Sequence, residues 1–294
     1  MKQLDGARVL LTGASGRIGT VTAAHLSEAG AAVTALSIAE RPRPEADRVI
    51  VGDTRSPEDV AAAIDGADLV VHLAAIPHPD MAPPHEVYAT NVVSTFNVLA
   101  QAGAAGVPRA VVAGSINAYG LPMNVHETTP AYFPLDTAVP VDIADWYSLS
   151  KHQGESTARM AWRRWGIDVV TLRFPHVNGE EGLLAQSRAL TEDPRAGLCE
   201  AWSYLDTRDA ARAIALSLTA DTAGAHAFLL AADRTNAPYR TEELLDAFAS
   251  GAPRLRRFVG REVPVDLTPA RELIGFEARH EIPVPTLDLP ARFR

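Results

Sequence analysis

From Arg8 to Arg173 the chain repeats one pattern: a short β-branched and aliphatic run, a turn, then a longer Ala-rich amphipathic stretch. Apolar runs that do not alternate with polar residues are buried on both faces, as the central strands of a parallel sheet are. Six such runs are expected as strands: Arg8–Thr12, Ala32–Leu36, Arg48–Val51, Leu69–Leu73, Arg109–Ala113 and Asp168–Arg173. Helices are expected at Ile18–Ala29, from Ser56 through Ile64, at His85–Ala104 and at Asp145–Trp165. The clearest start is Ser56-Pro57-Glu58-Asp59, a capping hydroxyl followed by proline at the first helical position and acids in the first turn. Strands alternating with helices are joined by crossovers, so the expected class is α/β with a doubly wound parallel sheet.

Beyond about Pro175 the pattern loosens. Helices are expected at Asp206–Leu218, Thr241–Ala249 and Thr268–Ile274, with a short strand near Ala227–Leu230, and Pro- and Gly-containing loops between them. The expectation is a dinucleotide-binding domain over 1–175 and a smaller substrate lobe over 176–294, on an approximate boundary that the chain can cross back over. The three-proline tail Ile282–Arg294 reads as coil. Such a lobe would cover the carboxyl ends of the strands, where ligands of open α/β sheets bind.

Thr12-Gly13-Ala14-Ser15-Gly16-Arg17-Ile18-Gly19 joins the first strand to the first helix. Glycines there let the backbone curl, approach a pyrophosphate and pack helix on strand, while the helix N-terminus supplies free N–H groups and a favourable dipole. The spacing is G-x-x-G-x-x-G rather than G-x-G-x-x-G. Gly13, Ser15, Gly16, Arg17, Ile18 and Gly19 are therefore candidate cofactor contacts. Asp53 and Thr54 follow the third strand, where a carboxylate can accept from an adenine amino group. Leu73, Ala74 and Ala75 end the fourth strand with residues small enough for close approach.

Tyr147-Ser148-Leu149-Ser150-Lys151 sets a phenol and an ammonium one helical turn apart on one face. Lys2 and Lys151 are the only lysines, so with six tyrosines in 294 residues a chance Tyr-x-x-x-Lys is expected about 0.04 times. A phenol of pKa ~10 is a poor base at neutral pH, and an adjacent ammonium together with an oxidised nicotinamide is expected to favour the phenolate and lower that pKa. Ser115, ending the fifth strand, can share a substrate oxygen with Tyr147.

Together these segments resemble the extended short-chain dehydrogenases/reductases, the group of NAD-dependent epimerases, dehydratases and uronate dehydrogenase. The likeness runs from about Ala7 to Asp209. Its carriers are TGASGRIG at 12–19, GDT at 52–54, HLAA at 72–75, Asn91, GSINAYG at 114–120, YSLSK at 147–151, RFPHVNG at 173–179 and YLDTRDAA at 204–211, with ARELIGFEARH at 270–280. The resemblance implies a Rossmann-type sheet and a Ser115–Tyr147–Lys151 catalytic triad. It also implies that Lys151 holds the nicotinamide ribose, that Asn91 and Pro175 border the cofactor, and that Asn117 faces substrate. It further implies a homodimer through the helices that carry Asn91 and Tyr147.

Ser37 stands at the end of the second strand, where NAD-specific members of that group carry an aspartate. With no carboxylate to repel a 2′-phosphate, and with Arg17 and Arg41 nearby, NADP is favoured over NAD. His78 and His176 are the remaining candidate substrate contacts. His176 takes the place where nucleotide-sugar epimerases carry asparagine, and Arg188, Arg195 and Arg208 are the only cations between Arg173 and Leu218 except Arg212 on the following helix. A small sugar-like substrate is therefore expected rather than a nucleoside-diphosphate sugar. The alternatives are a nucleotide-sugar 4-epimerase with tightly bound NAD and a non-catalytic dinucleotide-binding sensor, which would have no need of the triad.

Charge and cysteine content narrow the classes further. Lys and Arg total 27 against 36 Asp and Glu, a formal charge of -9 that argues against nucleic acid as a partner. Cys199 is the only cysteine, which excludes an internal disulfide and a cysteine-rich metal site, and His72, His78 and His85 lack a compact ligand spacing. No metal is expected. No run reaches the ~18–20 apolar residues of a membrane span, and the N-terminus lacks a signal-peptide core, so a cytoplasmic enzyme is expected. Trp162 and Trp165 are read as packing residues of the core or dimer face, and Glu127 as ordering its loop.

Overall fold

The computed structural model describes residues 4–39, 45–126 and 128–293. Its elements run β1 (Arg8–Thr12), α1 (Arg17–Glu28), β2 (Ala32–Ser37), β3 (Arg48–Val51), α2 (Pro57–Ile64), β4 (Leu69–His72), α3 (Pro84–Ala104), β5 (Arg109–Ala113), α4 (Trp146–Trp165) and β6 (Asp168–Arg173). They continue with β7 (His176–Asn178), α5 (Glu180–Glu192), β8 (Tyr204–Asp206), α6 (Thr207–Thr219), β9 (Ala225–Leu229), α7 (Thr241–Phe248) and α8 (Thr268–Ile274).

Seven strands form one parallel sheet in the order β3-β2-β1-β4-β5-β6-β9. Thr12 of β1 lies between Leu36 of β2 and His72 of β4. The order runs outward one way from β1 and the other way from β4, so the switch point lies between these two strands. Their carboxyl ends carry the glycine turn and Leu73–Ala75.

Alternate side chains feed two cores. Leu11, Val71, Val111 and Val170 meet Leu26 of α1 and Ile214 and Leu218 of α6. Leu10, Val70, Ala110 and Val169 meet Val60 of α2, Leu99 of α3 and Ala161 of α4 on the opposite face. A third core, with Tyr119, Phe133, Trp202, Tyr239, Leu245 and Val265, lies in the smaller lobe.

β9, expected in the smaller lobe, instead extends the main sheet beside β6, with Leu172 opposite Phe228. α6 covers the same sheet face as α1, so residue 175 does not divide two units. β7 and β8, three residues each, form a separate parallel pair in which His176 faces Tyr204. Strands that short carry no periodicity to read. The tail from Ile282 is largely irregular, with a 3-10 turn at Ala291–Phe293. Among the described residues no helix is long and apolar enough to cross a membrane.

Candidate active site

The glycine turn is built for close approach. Gly13 has φ +68°, and a Cβ there would come 2.6 Å from the Ala74 backbone nitrogen. At Gly19 a Cβ would come 2.8 Å from the Ala14 Cα. Gly16 caps α1 without any side-chain hydrogen bond, and the first turn holds no acid, so the leading N–H groups remain open to an anion. Ser15 N–H donates to Ser37 Oγ at 2.9 Å, and Ser15 Oγ donates to the Ala39 carbonyl at 3.0 Å, tying the turn to the end of β2.

Arg17 reaches the other way. Its guanidinium donates to the Val177 carbonyl of β7 at 3.1 Å. One of the two arginines weighed as a 2′-phosphate partner is thus engaged away from Ser37, while Arg41, like Glu127, lies outside the described residues. The Asp53 carboxylate is held by Arg55 at 2.6 and 2.8 Å, which keeps it below its usual pKa, and Thr54 Oγ1 donates to Ser94 Oγ at 2.8 Å.

Behind Leu73–Ala75 sits buried His72. Its Nδ1 is 2.8 Å from Thr12 Oγ1 and its Nε2 is 3.2 Å from Thr95 Oγ1. Asn91 accepts from Ile76 N–H at 2.8 Å and donates to the Ile76 carbonyl at 3.1 Å and Ser150 Oγ at 3.0 Å. Its side chain therefore clamps the loop after β4 to α4.

Two caps place the catalytic candidates. Ser115 opens the 3-10 turn Ile116–Tyr119, its Oγ accepting from Asn117 N–H at 3.1 Å. Asp145 caps α4 by accepting from Ser148 N–H at 2.8 Å, which fixes the turn bearing Tyr147. The Ser115 side chain lies close enough to the Tyr147 phenol to act on its pKa. Lys151 Nζ donates to the Ala113 carbonyl at 2.9 Å and lies 5.7 Å from the centre of the Tyr147 ring.

The electrostatics depart from expectation. Burial pushes the Tyr147 phenol up to about 12, with the Ser115 side chain pulling down, and pushes Lys151 down to about 8. The neighbouring ammonium was expected to lower the phenol. Both groups are out of water, and desolvation penalises each charged form.

These residues meet in one cavity of about 600 Å³ at the carboxyl ends of the strands. Gly13, Gly16, Arg17, Ile18 and Gly19 line one side; Leu73, Ala75, Lys151, Pro175, Ser115 and Tyr147 line the middle; His78, Asn117 and His176 complete the wall. Ser15, Ser37, Asp53, Thr54, Ala74 and Asn91 do not line it. His78 Nδ1 accepts from Asp80 N–H at 3.2 Å, and Trp146 Nε1 donates to the Pro79 carbonyl at 3.0 Å, so the His78 turn is fastened to α4. Asn117 Oδ1 and His176 Nε2 are buried without a hydrogen-bond partner among the described residues.

Met123 and Glu200 also line the cavity and were not anticipated. Glu200 ends the 3-10 turn Pro194–Glu200, a segment with no helical or strand period to expose it in sequence. Burial pushes its carboxyl up to about 7. A larger hollow opens at the amino ends of the strands, bordered by the exposed Arg8–Asp68 ion pair. Among the described residues no cluster of three His, Cys, Asp or Glu could hold a metal.

A parallel sheet with an open anion site at its switch point, and a buried tyrosine–lysine pair beside it, defines a dinucleotide-binding α/β protein of the short-chain dehydrogenase/reductase kind. Residues 9–231 match the NAD dependent epimerase/dehydratase family, and the chain belongs to it. L-arabinose 1-dehydrogenase (NAD(P)(+)) of Haloferax volcanii is 35% identical over 174 residues, 57% of this chain and 66% of that protein. Uronate dehydrogenase of Pseudomonas syringae pv. tomato is 29% identical over 169 residues, 57% of this chain and 58% of that one. These alignments thus leave a third or more of each relative unmatched. A solved short-chain dehydrogenase/reductase superfamily protein from Agrobacterium tumefaciens, with bound NAD, superposes with a TM-score of 0.67 at 26% identity, covering 93% of both chains.

Proposed function

We propose that this chain is a dehydrogenase that moves a hydride between NAD(P) and a carbinol or carbonyl carbon of a small sugar-like substrate. The observation that carries this reading is the convergence of Ser115, Tyr147 and Lys151 on the cavity that the glycine turn opens into. The residues fit a nicotinamide dinucleotide: the missing Cβ atoms of Gly13 and Gly19 and the uncapped start of α1 leave room and donors for a pyrophosphate. When bound, that group supplies the hydride acceptor or donor. Tyr147 takes the hydroxyl proton in oxidation and returns it in reduction, Ser115 holds the same oxygen, and Lys151 supplies positive charge from behind. With the phenol near 12 the free site is protonated at neutral pH and set to give a proton to a carbonyl oxygen.

The substrate end lacks what a diphosphate needs. Arg188, Arg195 and Arg208 do not line the cavity, and Arg208 is spent on Asp206 at 2.8 and 2.9 Å. A free sugar or polyol fits better than a nucleoside-diphosphate sugar. We further propose a cytoplasmic homodimer and a preference for NADP, the latter resting on Ser37 in place of a carboxylate.

Side-by-side titrations of purified protein with NAD and NADP test the cofactor reading, which an NAD affinity tenfold the better would overturn. A panel of free aldoses, uronates and UDP-, GDP- and dTDP-sugars tests the activity by cofactor reduction. Stoichiometric NAD released from fresh protein, with interconversion of a nucleotide sugar, would establish the epimerase instead.

A further inference from the structure

Glu200 is a carboxylate in the wall of a cavity whose other charged groups are already occupied. Arg17 is spent on the Val177 carbonyl and Lys151 on the Ala113 carbonyl, whereas the Glu200 carboxylate makes no hydrogen bond or ion pair among the described residues. Its main chain is fixed instead. Ser203 donates to the Glu200 carbonyl through N–H at 3.0 Å and Oγ at 2.6 Å.

The two residues that follow are both in the left-handed region without being glycine, Ala201 at φ 54° and Trp202 at φ 49°. Such backbone is unfavourable for L-residues and persists only where the surroundings enforce it, which marks positions that serve a site. Trp202 does the enforcing. It is fully buried, its Nε1 donates to the Pro194 carbonyl at 2.6 Å, and its N–H donates to the Gly197 carbonyl at 2.8 Å. The strained pair thus turns the chain at the point where Glu200 meets the cavity.

Resting on the dehydrogenase reading above, we infer that Glu200 selects the substrate by charge: it accepts hydrogen bonds from the hydroxyls of a neutral sugar or polyol and turns away substrates bearing a carboxylate or phosphate there. Asn117 Oδ1, buried in the same wall without a donor among the described residues, adds a second acceptor. Two waiting acceptors match hydroxyl groups, which donate, and mismatch carboxylates and phosphates, which only accept. Arg17 and Lys151 in the same cavity are held by main-chain carbonyls, so a second anion placed beside the Glu200 carboxylate would be repelled. Buried polar groups left unmatched are the strongest source of discrimination between similar substrates.

The test uses the full chain at saturating dinucleotide and about pH 8.5, where a Glu200 carboxyl raised to about 7 is ionised, with D-galactose, D-galacturonate, D-galactose 6-phosphate and D-galactosamine. Wild type is expected to favour the neutral sugar over both anions by at least about 100-fold in kcat/KM. Glu200→Gln is expected to raise KM for galactose about tenfold with a smaller change in kcat, and to bring the discrimination against galacturonate below about tenfold. Glu200→Asp keeps the charge and should keep the discrimination while losing kcat/KM. Dinucleotide affinity, unchanged in both variants, reports an intact fold. Unaltered discrimination in Glu200→Gln, or a wild-type preference for the uronate or the phosphate, overturns the inference alone. A wild type that oxidises none of the panel overturns the dehydrogenase reading, and this inference with it.

Discussion

Tyr147 and Lys151 show how two titratable residues buried together behave unlike either in water. Desolvation holds Tyr147 as a phenol and eases the proton off Lys151, so proton transfer at this site depends on what enters the cavity. Tyr147→Phe removes only the transferring oxygen and leaves a ring of nearly the same shape in the wall. It is expected to lower turnover by ~10²–10⁴-fold while dinucleotide affinity is nearly unchanged; a residual rate above a tenth of wild type would remove Tyr147 from the mechanism. Lys151→Ala should weaken both.

His72 is a structural counterpart. Burial first, and Lys151 second, push it down to about 3 from an ordinary 6.5. The folded pKa lies below the unfolded one, so between these limits the unfolded chain binds the extra proton and stability falls as pH drops from 6.5 toward 3. The loss attributable to this side chain is on the order of 5 kcal/mol across that window. Urea midpoints measured against pH should fall less steeply in His72→Asn, which cannot titrate; identical slopes would place the acid sensitivity elsewhere.

At the scale of elements, the site is a set of turns held by packing at the ends of strands. Gly13 bears the most on this, because its positive φ and its approach to Ala74 are both closed to a side chain. Gly13→Ala costs ~1–2 kcal/mol for the backbone alone and more for the clash. It is expected to lower the melting temperature and abolish dinucleotide binding together, and retained affinity in a stable Gly13→Ala protein would contradict the phosphate role of this turn. The central strands and their helices were legible in sequence to within a residue or so, since continuous apolar runs and caps such as Ser56 are local signals. Pairing is not local. Nothing in Ala225–Leu229 says that its neighbour is β6, and three-residue strands like β7 and β8 have no period. The same limit applied to the site. Motif residues such as Ser115, Tyr147 and Lys151 stand out by spacing, whereas Glu200 is defined only by the fold that carries it into the cavity. An ammonium four residues from Tyr147 is visible in sequence, whereas the burial that raises the phenol is not.

At the scale of the whole molecule, nothing among the described residues covers one face of the α3–α4 layer. Val93 and Phe96, three apart on α3, are 40% and 49% exposed, and Leu149 on α4 is 42% exposed. The opposite sides of these helices are closely packed on each other: a Cβ at Gly103 would come 2.7 Å from the Trp165 ring. Two copies meeting across a twofold axis would bury this face as a four-helix bundle, the arrangement in which each copy presents the same patch to the other. The inner faces of these same helices carry Asn91, Tyr147 and Lys151, so a dimer would also steady the site. Phe96→Glu places a charge at the centre of the patch while leaving each chain's own core untouched. It is expected to convert a dimer into a monomer in light scattering at micromolar concentration, with urea resistance reduced and turnover lowered through looser placement of Tyr147. A wild-type protein that scatters as a single chain at tens of micromolar, or a Phe96→Glu variant that remains dimeric, would rule this face out as the contact between copies.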